Sequence, residues 1–434
     1  MNAIKSIPLL LGCLLFSCSN NADEPQIPKV DSAVDAKMQW AIDLANSEAE
    51  RLFPPQSRDD VRTAKVSGFK AICDKMSRGE NDTLVYVVNY ENDKGFALIS
   101  ATGNEQPVLA VVPEGSYDPE VGTDNPGFNL FLDAVTHNAK NDTTKRVDFE
   151  INPGYPINLN GKYEKTTRTV VTHYGPVTRI KSYHKWGQED IFGAYCPNYI
   201  SGCVPLAITS IVSHLNACRK LTTRVNYNFP YADISYEDID WFEIMRHQSS
   251  PAIYHDGTRI DHICWAENKD AVHRSLGRIC RQIGHDGQAK YEIGSTGVER
   301  WKAPVLLKKY LPECTVSELA SFDPYRTMSC IDWGVLYLRG SLKSDETIGH
   351  AWFTDGYEFT RTKVCKYEAD KPEPGMQLQW ELVDEYELDK SLNYMRWGCY
   401  GEYDGWYSGK ELDPTQSGDP YINMQYVSVV CPRD

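Results

Sequence analysis

A glycine-cysteine pair at the foot of an apolar helix constrains this chain more than anything else in it. Residues 195–212 read Tyr195-Cys196-Pro197-Asn198-Tyr199-Ile200-Ser201-Gly202-Cys203-Val204-Pro205-Leu206-Ala207-Ile208-Thr209-Ser210-Ile211-Val212. Turn-forming residues run up to Gly202, and an apolar run follows at once. The pattern predicts a helix over 204–217 with the Cys203 thiol at its N-terminus. Free N–H groups and the positive end of the helix dipole favour a thiolate there, and the thiolate is the nucleophilic form.

Such a thiolate needs an imidazole, a group to orient that imidazole, and donors for an oxyanion. Three histidines compete for the first role. His214 lies on the same expected helix as Cys203, about three turns away and out of reach. His285, in Ile283-Gly284-His285-Asp286, falls at an expected helix end and reads as a cap or surface residue. His350 opens the apolar aromatic strand Gly349-His350-Ala351-Trp352, where a polar ring needs a purpose, and it is the candidate base. Gln188, in Lys185-Trp186-Gly187-Gln188, offers an amide N–H that can join the Cys203 N–H as an oxyanion donor. Trp397, in Arg396-Trp397-Gly398-Cys399-Tyr400-Gly401, can cover the pair and keep water from it. This chemistry needs no metal or organic cofactor.

At 434 residues the chain exceeds one ordinary core, and two domains are expected. A 41% hydrophobic and 11% aromatic content is enough to fill them. The formal charge of −15 argues against nucleic acid and anionic lipid surfaces as partners. Lys5 followed by the apolar run from Pro8 to Phe16 is too short to span a bilayer and reads as a signal peptide over 1–17. It ends Leu15-Phe16-Ser17-Cys18, the order of a bacterial lipobox, which makes Cys18 the lipidated first residue of the mature chain. The expected location is therefore the envelope of a Gram-negative bacterium, on its outer membrane. Residues 18–35 are polar and proline-containing and read as a tether. Ten cysteines besides Cys13, Cys18 and Cys203 have no spacing that fixes disulfide connectivity, and no CxxC occurs among them.

Residues 36–53 carry apolar positions at helical spacing. Strands are expected over 84–90, 95–100 and 107–112, with Asn92-Asp93-Lys94-Gly95 as the turn between the first two. This makes a small α+β unit over 36–140. Polar residues 141–165 follow as a linker. Beyond 166 the pattern predicts a second α+β domain, to residue 434, with helices near 204–217 and 270–284 and strands near 349–359, 378–386 and 392–397.

These blocks resemble the streptopain family of papain-like cysteine proteases. Trp186-Gly187-Gln188 is similar to its oxyanion element, and Cys196-Pro197-Asn198 through Gly202-Cys203-Val204 to its nucleophile block. Gly349-His350-Ala351-Trp352-Phe353-Thr354-Asp355-Gly356-Tyr357 resembles its histidine strand, and Trp397-Gly398 through Asp404-Gly405-Trp406-Tyr407 its glycine-aromatic loop. Tyr86-Val87-Val88-Asn89-Tyr90 and Gly95-Phe96-Ala97-Leu98-Ile99-Ser100 resemble the meander of its propeptide. The resemblance implies a papain-like fold in which a helical part packs beside an antiparallel sheet. It implies an endopeptidase made as a zymogen, with protein or peptide substrates, its own propeptide as inhibitor, and activation by a cut in 141–165. It further implies a hydrophobic preference one position removed from the cut, on the acyl side.

The departures from that pattern are specific. Arg396 stands where the family has the Asn that orients the histidine, and arginine has no acceptor to do so. Either Arg396 points away and another group or a backbone carbonyl orients His350, or the register shifts to Asn393. Cys399 replaces a tryptophan, Asp404 replaces an Asn, and Pro205 is unusual but fits a first helical turn. Arg396 also keeps open a second reading, a catalytically weak surface lipoprotein that binds proteins or glycans. An acyltransferase or deamidase on the same scaffold is a third.

Overall fold

The computed structural model describes residues 32–53, 65–73, 83–101, 106–141, 166–174, 185–219, 224–248, 263–264, 267–346, 349–369, 381–414 and 422–431. The expected signal peptide, Cys18, the tether up to residue 31 and nearly all of the expected linker lie outside these residues.

The N-terminal part runs α1 (Ser32–Leu52), β1 (Val66–Cys73), β2 (Thr83–Tyr90), β3 (Phe96–Ser100), β4 (Val108–Val112) and α2 (Pro126–Asn141). After β5 (Thr166–Tyr174) come α3 (Cys203–Arg219), the ribbon β6 (Val225–Asn226) with β7 (Tyr236–Glu237), and α4 (Trp241–Met245). Next are the ribbon β8 (His247–Gln248) with β9 (Ile263–Cys264), α5 (Lys269–Asp286), the hairpin β10 (Lys290–Glu292) with β11 (Ser295–Gly297), and α6 (Lys302–Tyr310). Two short strands, β12 (Thr315–Val316) and β13 (Ala320–Ser321), lead to α7 (Pro324–Ile331). Then follow β14 (Gly334–Leu342), β15 (Gly349–Ala369), β16 (Glu381–Arg396), β17 (Gly405–Ser408) and β18 (Ile422–Val430).

The α+β expectation holds. α3 has an apolar residue on nearly every face and is buried along most of its length, as a central helix must be. It packs with α5 and α6 against the face of β14, β15 and β18 that carries Val335, Tyr337, Ala351, Phe353, Val427 and Val429.

The two expected domains share one sheet. Among the described residues twelve strands join it, with β4 pairing antiparallel to β17 through Val111↔Trp406 and Ala110↔Tyr407. Each strand would otherwise present an unpaired edge, and pairing satisfies both. The core is shared as well: Phe96, Phe128 and Phe131 from the N-terminal part pack with Trp352, Trp397 and Tyr407.

β15 and β16 are longer than their apolar patterns predict. The segments around 360–369 and 386–391 are largely polar, so they carry no burial signal, yet their backbones pair from Phe353↔Arg396 to Glu368↔Glu381, broken only by shifts after Thr354 and after Lys366. β5 pairs the other side of β15 from Arg361↔Tyr174 to Ala369↔Thr166.

Candidate active site

Cys203 is the first residue of α3, as its position after Gly202 requires. Gly202 has φ +88°, a left-handed conformation that favours glycine, and a Cβ there would stand 2.8 Å from the Thr296 carbonyl oxygen. The preceding turn is pinned to the β10–β11 hairpin. Asn198 Nδ2 donates to the carbonyls of Glu292 and Ser295, both at 2.8 Å, and Thr296 Oγ1 donates to the Ile200 carbonyl at 2.8 Å. Pro205 sits in the first turn without loss, since the N–H it lacks has no helical partner there; its carbonyl accepts from Thr209 Oγ1 at 2.8 Å.

Gln188 lies beside this turn. Its carbonyl accepts the Ser201 N–H at 2.8 Å and the Ser201 hydroxyl at 3.0 Å, which holds it two residues from Cys203 in the pinned loop. Trp186, which precedes it, is buried and donates its indole N–H to the His247 carbonyl at 2.9 Å.

His350 is the second residue of β15, opposite Gly340 on β14, and only 5% exposed. Its ring stacks on Trp352 at 5.9 Å, and its Nε2 lies 2.6 Å from the Trp397 carbonyl oxygen. A carbonyl only accepts, so Nε2 carries the proton and Nδ1 is left as the acceptor. A backbone carbonyl therefore does what the missing Asn would have done. Trp397 itself is fully buried against Trp352 and Tyr407.

Arg396 points away from the histidine. Its guanidinium lies between Asp355 and Asp404, at 3.6 Å from each, and over the Tyr394 ring at 4.5 Å. Asp355 is the extra residue of a bulge between Thr354 and Gly356. Asp404 Oδ1 accepts the Trp397 N–H at 2.9 Å. The substitution thus installs a buried ion cluster that holds the N–H of the residue whose carbonyl meets His350. The shifted-register alternative fails: Asn393 faces Tyr357 and Tyr407 across the sheet, with its Oδ1 against Gly409.

The electrostatics describe a resting site. Burial pushes the Cys203 thiol up, against the opposing pull of the backbone N–H groups of Ala351, Val204 and Cys203 itself. Burial drives His350 down to about 4, and its bond to Trp397 only partly offsets this. Among the described residues no hydrogen bond joins the ring to Cys203 Sγ. A neutral thiol and a neutral imidazole are the favoured pair here, where the helix dipole alone argued for a thiolate.

The N-terminal part covers the histidine ring. Asn125 caps α2, its Oδ1 accepting the N–H groups of Gly127 and Phe128 at 3.1 and 3.0 Å, while its Nδ2 donates to the Glu402 carbonyl at 2.8 Å. The helix start is thereby fixed to the loop after Trp397. A Cβ on Gly127 would meet Trp397 Cε3 at 2.3 Å and His350 Cδ2 at 3.0 Å, so the bare glycine backbone lies directly on both rings. Sequence reasoning missed Gly127, Asp355, Asp404 and the Ala351 N–H; the Asn125-Pro126 start followed by Phe128, Phe131, Leu132 and Val135 at helical spacing was the available signal for α2.

A helix-borne cysteine, a strand-borne histidine with an oriented ring and an N-terminal segment lying on that ring define the class: a cysteine peptidase made as a zymogen. The chain belongs to the Peptidase C10 family, which matches residues 186–407. Residues 44–139 match the Spi protease inhibitor family. Among solved structures, the chain is similar to a prointerpain A fragment of Prevotella intermedia, at 16% identity over 85% of this chain and 99% of that one, TM-score 0.49. It is also similar to the active wild-type interpain A cysteine protease of Prevotella intermedia, at 14% identity over 58% and 93%, TM-score 0.35. No curated protein sequence matches.

Proposed function

We propose that Cys203 and His350 are the catalytic pair of an endopeptidase, with Gln188 as an oxyanion donor and Trp397 as the residue that orients and shields the histidine. The observation that carries this reading is the 2.6 Å contact from His350 Nε2 to the Trp397 carbonyl. It leaves Nδ1 to take the Cys203 proton once the N-terminal segment departs. The Cys203 sulfur then attacks the scissile carbonyl carbon. The oxyanion is held by the Cys203 N–H and the Gln188 amide, the imidazolium protonates the leaving amine, and water hydrolyses the acyl-enzyme. The substrates are proteins or peptides, with a hydrophobic residue favoured one position removed from the cut.

In this reading residues 36–140 are the propeptide, a cut in 141–165 activates it, and 166–434 is the enzyme. Residues 1–17 direct export, and Cys18 carries the lipid that anchors residues 18–35 and all that follows to the outer membrane. Replacing Cys18 with serine should move the protein from the membrane to the soluble fraction.

The primary test compares the chain expressed from Ser19 with its Cys203→Ala variant at neutral pH in reductant, by intact mass. The wild type should shed roughly the N-terminal third and then cleave casein, and the variant should do neither. If both stay whole and remain inert after an added protease cuts the linker, with Cys203 unlabelled by iodoacetamide, the reading is overturned.

A further inference from the structure

We propose that Cys314 and Cys431 form a disulfide that staples the C-terminal strand to the end of the α6–β12 segment. β12 pairs antiparallel with the end of β18 through Thr315↔Val430 and Val316↔Val429. One step outward, that register sets Cys314 opposite Cys431. Their sulfurs are 2.8 Å apart, closer than even unbonded carbons rest, at about 3.5–4.0 Å. Both backbones are fixed independently: the Cys314 N–H donates to the Leu311 carbonyl at 3.1 Å, and the Cys431 N–H to the Trp333 carbonyl at 3.3 Å. Cross-strand partners meet the short Cα separation a disulfide requires, so bond formation needs no backbone movement.

The chemistry is thiol–disulfide exchange with a small oxidised disulfide such as oxidised glutathione. Cys314 is partly exposed and Cys431 nearly buried. The Cys314 thiolate therefore attacks one sulfur of the oxidant, giving a mixed disulfide and releasing the other sulfur as a thiol. The Cys431 thiolate then attacks the Cys314 sulfur and expels the second thiol. Two protein thiols are oxidised, one disulfide is reduced to two thiols, and the two protons pass to those thiols. The two thiols perturb each other, Cys431 and burial raising Cys314 while Cys314 lowers Cys431, and the Arg219 charge pulls both toward the thiolate. The closed loop spans a sequence separation of 117 residues and contains β14, β15 and β16, and with them His350 and Trp397. A cross-link of that span removes much unfolded-chain freedom.

The test uses the full chain with Cys203→Ala, so that autolysis does not confuse it. The protein is purified in reductant, incubated with oxidised glutathione, alkylated in denaturant without reduction, and digested. The expected product is one peptide pair joined through Cys314 and Cys431. The thermal midpoint should rise by roughly 5 °C or more on oxidation, and this rise should vanish in Cys314→Ser and in Cys431→Ser. Alkylation of both cysteines in the oxidised protein, or linkage of either to another cysteine, overturns the proposal. Should a serine variant fail to fold, the wild-type peptide map decides alone.

Discussion

His350 Nε2 lies 2.6 Å from the carbonyl oxygen of Trp397, and the N–H of that same tryptophan is held at 2.9 Å by Asp404, which Arg396 neutralises in part. The ring is thus oriented by the carbonyl of a residue whose own N–H is clamped. Arg396→Ala should leave Asp355 and Asp404 buried without their cation. Removing one partner of a buried ion cluster costs about 3–5 kcal/mol. We expect the Cys203→Ala chain carrying Arg396→Ala to melt well below its parent. Equal midpoints would show the cluster to be dispensable.

Asp404 and His350 pull stability in opposite directions as pH changes. Burial raises Asp404 to about 6 from 3.8, although Arg396 and the Trp397 N–H oppose it. Its contribution is fully present below its unfolded value and is lost as pH rises through about 6. Burial lowers His350 to about 4 from 6.5, so its contribution is present above 6.5 and lost as pH falls through about 4. Each shift is worth about 3 kcal/mol, so acidification from neutrality costs at one site nearly what it returns at the other. Asp404→Asn keeps an acceptor for the Trp397 N–H but removes one titration. In the Cys203→Ala background we expect this variant to gain stability over its parent at neutral pH and to lose that advantage by about pH 4. Melting curves across this range check it; a parallel pair of curves would refute it.

Much of the site was legible because its parts are short contiguous blocks. Gly202-Cys203 followed by apolar residues forces a helix-borne thiol, and His350 at the head of an apolar strand needed a partner. The sequence allowed a backbone carbonyl to orient that ring but could not say which one, because every residue has one. The partners of Arg396 were not legible: Asp355 reaches it only through a bulge, and Asp404 only after the chain has turned back from Trp397. The fused sheet depends on β4 meeting β17 across about two thirds of the chain, a register that local periodicity does not encode. The polar reaches of β15 and β16 pair as strands but left no apolar alternation to read.

α1 is held to β15 and β16 by charge as well as by apolar packing. Arg51 bridges Glu48 and Glu358, each at 2.6 Å, and Lys390 pairs with Glu48. Burial opposes the ionised Glu48 carboxyl, but Lys390 and Arg51 together hold it below the usual carboxylate range. This contribution is present above the unfolded value and is lost as pH falls through the lowered one. Glu48→Ala should leave Lys390 largely buried without its partner and loosen α1, by about 3 kcal/mol or somewhat less because Arg51 is partly exposed. We expect faster loss of the N-terminal segment in the otherwise wild-type chain, read by intact mass over time. An unchanged rate would place the latch elsewhere.

Gly127 offers the most direct handle on latency. Its backbone lies against the Trp397 and His350 rings, and an added methyl would overlap Trp397 at 2.3 Å. Neither ring can yield easily, since Trp397 is packed between Trp352 and Tyr407 and His350 is tied to the Trp397 carbonyl. The start of α2 must shift instead, at a cost of about 1–3 kcal/mol for overpacking. That strain falls on the latent form alone, because a departed segment no longer touches either ring. Gly127→Ala should therefore raise the population in which the site is uncovered by roughly 5- to 150-fold. Iodoacetamide should label Cys203 faster in the intact variant, in step with that population, because withdrawing α2 relieves the burial that keeps His350 from taking the thiol proton. Processing should accelerate with it, while the mature enzyme, once the segment has been cut away, should turn over substrate at the wild-type rate. If labelling of the intact chain is unchanged, α2 does not govern access to the cysteine, and the neutrality of the resting pair has another source.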